Sequence, residues 1–121
     1  DPVEIKHITG FDSRISDIIK NIQEIQQRGM NSVGIICKNS ESAEEVYNAV
    51  KNDVSASLVV NDRDSYSSAI TVIPSYLSKG LEFDAVFIFD AEKYNTDNEL
   101  RLFYTVCTRA MHKLVIYGNH K

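Results

Sequence analysis

The chain has 121 residues, 43% of them hydrophobic and 25% charged. That bounds it to one globular domain able to bury a core without disulfide or metal staples. A net charge of −4 and a pI near 5.3 exclude the strongly basic class that holds nucleic acid by charge alone. No apolar run approaches bilayer length, and no signal-peptide pattern opens the chain. The first residue is Asp1 rather than Met, so the sequence is expected to be a piece of a longer or processed protein. Cys37 and Cys107 lie in apolar stretches without metal-ligand spacing. They are expected as free thiols of a reducing compartment, the cytoplasm.

In chain order, "PVEIKHI" alternates as a strand does. Ile15, Ile18, Ile19, Ile22 and Ile25 then follow the spacing of an amphipathic helix, with Asp12 or Ser13 as cap and Gly29 as stop. "SVGIIC" (32–37) is a buried-strand run. A second helix is expected with Ser40 or Ser42 as N-cap, Ser42 and Glu45 having capping-box spacing, and with Ala43, Val46, Tyr47 and Val50 on one face. "SLVV" reads as a strand, "NDRDSYSS" as a polar loop, and "AITVIPSY" as a strand stopped near Pro74.

"DAVFIFD" is another core strand, and "EKYNTDNE" a loop leading into a third helix with Thr96 and Glu99 at capping-box spacing. Leu100, Phe103, Tyr104, Cys107 and Met111 form that helix's apolar stripe, with Arg101, Thr105, Thr108, Arg109 and His112 on another flank. "KLVIYG" closes the chain as a strand. Alternation of helices with continuous apolar strands predicts an α/β fold, a mostly parallel sheet with helices on both faces. No second-domain linker or repeat interrupts it.

Two stretches carry chemistry. "SKGLEFD" sets Lys79, Gly80 and Glu82 just before an apolar strand, at a place where ligands of open sheets are expected, outside a strand's carboxyl end. Glycine there permits a tight turn or close ligand approach, lysine can neutralise phosphate, and glutamate can accept from sugar hydroxyls. A loop glycine between solvated charges is the structural alternative. "YTVCTRAMHK" sets Arg109 off the core stripe. Its planar, permanently charged fork suits a phosphate, or else a helix C-terminus. Histidine spacing offers no metal or Ser–His–Asp site, and Asp90 with Glu92 is a weak magnesium candidate. No G-x-x-x-x-G-K-[ST] loop is present, so a self-contained ATPase is not expected.

The two stretches together, in this order, resemble the KGLEFD and VALTRA motifs of UvrD-type superfamily 1 helicases, over residues 72 to 117. The string "VIPSYLSKGLEFDAVFIFDAEKYN" is most similar to the HelD branch, helicase-like ATPases associated with RNA polymerase. The resemblance implies a three-layer RecA-like domain, the second half of a two-domain motor. The first half would hold the phosphate loop, ATP and Mg2+. It further implies Arg109 on the γ-phosphate, Glu82 on the ribose, Gly80 and Lys79 beside it, and Thr108 orienting the arginine. Ser75 and Tyr76 fall on the nucleic-acid side. An arginine delivered across such a cleft is worth about 10³–10⁵ in rate, roughly 4–7 kcal/mol.

Departures are visible too. Pro74 and Tyr76 stand where the family has Thr and His, Lys38 stands where it has an arginine, and its early arginine motif has no clear match. Pro74 offers no hydroxyl or backbone donor, whereas Tyr76 can stack on a base. The implied partners are the N-terminal motor domain, DNA and RNA polymerase, with no membrane. The rival reading is a module that mainly docks on RNA polymerase, and a flavodoxin-like domain with chance motifs is a third.

Overall fold

The computed structural model describes residues 3–64 and 68–118. Among the described residues six strands form one sheet: β1 (Val3–Lys6), β2 (Val33–Cys37), β3 (Ala56–Leu58), β4 (Ile70–Pro74), β5 (Phe83–Ile88) and β6 (Ala110–Tyr117). Their order is β1-β6-β5-β2-β4-β3, and every pairing is parallel. The α-helices described between them are α1 (Phe11–Gln27), α2 (Ser40–Val50) and α3 (Asp97–Cys107). All five residues of β2 and all five of β4 are buried. That is why these central strands read as unbroken apolar runs rather than alternating ones.

Right-handed crossovers decide the layers. Connections β1→β2 and β2→β3 run one way along the sheet, so α1 and α2 share one face. Ile15, Ile18, Ile22 and Ile25 pack there with Ala43, Val46 and Val50 over Val33, Ile35, Val72 and Phe87. Connections β4→β5 and β5→β6 run back the other way and lie on the second face. There Leu77, Leu81 and α3 cover Ile36, Ile73, Val86 and Ile88. Arg14 of α1 is 5% exposed and fastens three elements. Its Nε donates to the Ile8 carbonyl (2.6 Å), and its Nη1 to the Phe89 carbonyl (2.9 Å) and to Glu92 (3.0 Å).

Several boundaries differ from the sequence expectation. α1 begins at Phe11, so Asp12 and Ser13 sit inside its first turn and Gly10 (φ 92°) takes the cap. At its other end Gly29 (φ 89°) closes a Schellman motif, with Gly29 N–H on the Gln26 carbonyl and Met30 N–H on the Ile25 carbonyl. The cap of α2 is Asn39, which accepts from Ser42 N–H. Ser42 is not a cap; it is buried, and its hydroxyl donates to Asp90 at 2.9 Å. The Thr96–Glu99 capping box of α3 is present as expected.

The largest correction concerns the end of α3. Helical periodicity runs on to Met111, but the helix stops at Cys107 and the chain enters β6 at Ala110. The Phe83 N–H bonds to the Arg109 carbonyl and Phe83 pairs with Ala110, so a non-local ladder overrides local periodicity. The apolar stripe shifts accordingly. Val106 is fully buried, with Leu102, Phe103 and Cys107 partly so, while Leu100 (39%), Tyr104 (68%) and Met111 (57%) are exposed.

Candidate functional site

The segment from Ser75 to Glu82 carries the chain from the carboxyl end of β4 to the amino end of β5 in eight residues. It therefore divides the motif between two edges of the sheet. Ser75 and Tyr76 open a short 3₁₀ turn (Ser75–Leu77) at the carboxyl edge. Glu82 immediately precedes β5 at the amino edge. The expectation that the KGLE cluster faces the carboxyl ends of strands is corrected for Glu82, because the crossover has already returned.

Lys79 and Gly80 form the tip of a turn closed by Leu81 N–H on the Ser78 carbonyl at 3.0 Å. Gly80 has φ 83°, and a Cβ there would meet nothing within 4 Å. The glycine answers to backbone conformation rather than to crowding.

Arg109 reaches the same amino edge from the other motif. Between Phe83 and Ala85 the register with β6 shifts, from Ala110 to Lys113, which marks a bulge at the start of β6. Phe83 and Ala85 would share a face in a regular strand. Here Phe83 joins the α3-side core and Ala85 the other. The bulge sets Phe83, and with it Glu82, against Arg109.

The Arg109 side chain is held by neutral groups only. Its Nε donates to the Thr105 carbonyl (3.3 Å) and its Nη2 to the Thr108 hydroxyl oxygen (3.0 Å), whose own proton goes to the Thr105 carbonyl (2.6 Å). Among the described residues, no carboxylate pairs with Arg109, and neither Lys79 nor Glu82 makes an ion pair. A cation and a carboxylate thus stand close in the fold, both uncommitted.

The carboxyl edge is differently built. Tyr76 is 53% exposed, and its hydroxyl shares a 2.7 Å hydrogen bond with Ser40 Oγ. Ser75 is fully buried and its hydroxyl donates to the Lys38 carbonyl at 3.0 Å, so of the two residues expected to face nucleic acid only Tyr76 presents its side chain. Lys38 forms a 2.7 Å ion pair with Glu99 and lies over the Tyr94 ring. That ammonium, with the Thr96 and Asn95 N–H groups, holds the Glu99 carboxyl down to about 2.

Asp90 is 1% exposed and accepts from Lys38 N–H (3.0 Å) and the Ser42 hydroxyl. Burial pushes its carboxyl above the usual aspartate value. Glu92 is paired to Arg14. The Asp90–Glu92 pair therefore ties elements together instead of presenting a magnesium site. Among the described residues no three His, Cys, Asp or Glu side chains converge on a metal-binding arrangement. Sequence reasoning missed this Lys38–Asp90–Glu99 network. Three charges flanking apolar elements were its only trace.

Both motifs fall within one family match. Residues 69–117 match the model of the UvrD-like helicase C-terminal domain. That stretch runs from the residue before β4 to the end of β6 and contains Gly80, Glu82 and Arg109. A solved C-terminal domain of a possible DNA helicase from Lactobacillus plantarum WCFS1 is 27% identical over 98% of this chain and 74% of its own, with a TM-score of 0.85. The helicase domain of Pyrococcus furiosus Hef is 16% identical over 89% of this chain and 25% of its own (TM-score 0.62).

An Arterivirus nonstructural protein 10 helicase, solved with DNA, is 17% identical over 97% of this chain and 28% of its own (TM-score 0.62). The latter two share the RecA-like fold: a parallel sheet layered between helices. The curated proteins yield no match. No helix among the described residues is long and apolar enough to cross a membrane.

Proposed function

We propose that this domain is the second motor domain of an ATP-dependent superfamily 1 DNA helicase or translocase acting in the cytoplasm. It completes an ATP site whose phosphate loop and Mg2+ lie on a first RecA-like domain. The observation that carries the reading is the Phe83–Arg109 main-chain bond of 2.9 Å, which sets Glu82 and Arg109 at one open edge. Support comes from the helicase C-terminal match over both motifs and from the likeness to a possible DNA helicase.

In this reading Arg109 meets the γ-phosphate and stabilises charge in the transition state, while Glu82 accepts from the ribose hydroxyls. Thr108 steers the guanidinium, Gly80 shapes the turn, and Lys79 lends positive charge beside it. Approach costs little, because Arg109 exchanges hydrogen bonds to a carbonyl and a hydroxyl and breaks no ion pair. An arginine that arrives only when the cleft closes links nucleotide state to domain geometry.

The test is Arg109→Ala in the full-length protein. ATP turnover should fall by about 10³-fold or more while ATP affinity changes only a few-fold. Unchanged turnover would overturn the reading.

Exposed Leu100 and Tyr104 on α3, with the acidic balance, favour a second reading. There the domain is chiefly a protein-docking module of the HelD branch, binding RNA polymerase. It requires Arg109→Ala to be silent.

A further inference from the structure

The sheet ends in β1, which pairs with β6 on one side and, among the described residues, with no strand on the other. Its side chains alternate between the two faces. Glu4 and Lys6 lie on the α1 face, where Lys6 pairs with Asp17 of α1 and Glu4 with Lys113, each at 2.9 Å. Ile5 points to the opposite face and is 57% exposed. A bare aliphatic edge of this kind is a template for pairing with another chain.

The ladder to β6 fixes which main-chain groups look outward. The Lys6 carbonyl accepts from Gly118 N–H at 3.2 Å, so Lys6 turns its main-chain groups toward β6, and by alternation Glu4 does too. The N–H and C=O of Ile5 therefore face away from β6. Ile5 offers one donor and one acceptor at the open edge.

A donor and an acceptor on the same residue match their own copy. Turned about a two-fold axis at Ile5, a second β1 runs antiparallel, and the two Ile5 residues exchange both bonds. This register sets Glu4 opposite Lys6 of the second copy, and Lys6 opposite Glu4 of the second copy. Those are non-hydrogen-bonded positions, where facing Cα atoms stand closest, at about 4.5 Å. Moving the axis one residue either way keeps the phase of the bonds but sets Glu4 against Glu4, or Lys6 against Lys6. Like charges directly opposite are destabilising, so charge selects the register centred on Ile5. The other edge strand, Ala56–Leu58, has three residues and no charged side chain to choose a register.

We propose that the open edge of β1 binds β1 of a second copy of this chain, joining two sheets into one across an axis at Ile5. The edge is four residues long. Its area is that of a transient contact, so the dimer is weak, with a Kd of about 10–100 μM. The proposal stands whether or not Arg109 meets ATP.

Sedimentation velocity of the full-length protein over a range of about 1–200 μM reads the association directly. The parent should shift from monomer to dimer as concentration rises. Ile5→Pro removes the outward N–H and no bond to β6, a change that edge strands accept. It should stay monomeric throughout with an unchanged circular dichroism spectrum. Lys6→Glu and Glu4→Lys should each be monomeric alone, and an equal mixture of the two should dimerise, because opposite charges then meet at both crossings.

A parent that stays monomeric at every concentration overturns the proposal. So does a dimer that survives Ile5→Pro, or a mixture of the two charge variants, each folded by circular dichroism, that associates no more than its components.

Discussion

The main-chain N–H of Phe83 donates to the carbonyl of Arg109 at 2.9 Å. This one bond brings together residues 26 positions apart in sequence (109 − 83), ends α3, opens β6 and sets the two motifs edge to edge. Phe83 in turn rests on Gly34, where no side chain obstructs the ring. The residue that follows Glu82 thus packs its ring on a glycine of a neighbouring strand.

Gly34→Ala should therefore destabilise the domain although alanine is the smallest chiral change. The new Cβ would lie 2.7 Å and 2.8 Å from two carbons of the Phe83 ring. Overpacking of this kind costs about 1–3 kcal/mol. Thermal denaturation should show a Tm lower by several degrees, and an unaltered Tm would mean that the ring is not held against Gly34.

Asp90 should make stability fall with rising pH over part of the acid range. Its folded-state carboxyl is raised by burial, so the folded protein binds its proton more readily than the unfolded chain does. The protonated form is favoured below the ordinary aspartate value, and that advantage is lost as pH rises through the raised one. In Asp90→Asn this downward component should vanish. The check is Tm against pH for both proteins. A parent-minus-variant difference that grows with pH across that window would contradict the assignment.

Glu99 should behave in the opposite sense. Its carboxyl is held down to about 2 by Lys38 first, then by the Thr96 and Asn95 N–H groups. Its contribution is present above the ordinary value of 4.5 and disappears as pH falls through about 2. Glu99→Gln should lose stability at neutral pH, with the gap closing toward pH 2. An NMR titration midpoint near the ordinary glutamate value would show that the Lys38 pair does not hold in solution.

On the proposed motor function, Tyr76→Ala should weaken single-stranded DNA binding by the full-length protein. The ring is 53% exposed at the carboxyl edge and steadied by Ser40. Stacking of one base on an aromatic ring is worth about 1–3 kcal/mol, so affinity should drop roughly 5- to 150-fold. Fluorescence anisotropy measures it. Tyr76→Phe separates the two roles of the side chain: it keeps the stacking surface and should retain most of the affinity.

Much of the architecture was legible because its causes are local. Continuous apolar runs such as Val33–Cys37 and Ile70–Pro74 announced buried parallel strands, and all ten residues are buried. The isoleucine spacing of α1 matched the face that packs on the sheet, and Thr96 with Glu99 marked the start of α3. The end of α3 was not legible. Met111 continues a helical period perfectly well, yet it lies in a strand.

The sequence by itself determined the element types, the parallel α/β class and the two motifs, since each follows from side-chain period, turn chemistry or residue identity within a short window. Tertiary structure alone decided that Glu82 and Arg109 share the amino edge, that Tyr76 lies across the sheet from them, and that Ser75 is sealed inside. Those outcomes depend on which strands become neighbours and where a bulge shifts their register. Such pairing joins main-chain groups far apart in the chain, and no local pattern of side chains encodes it.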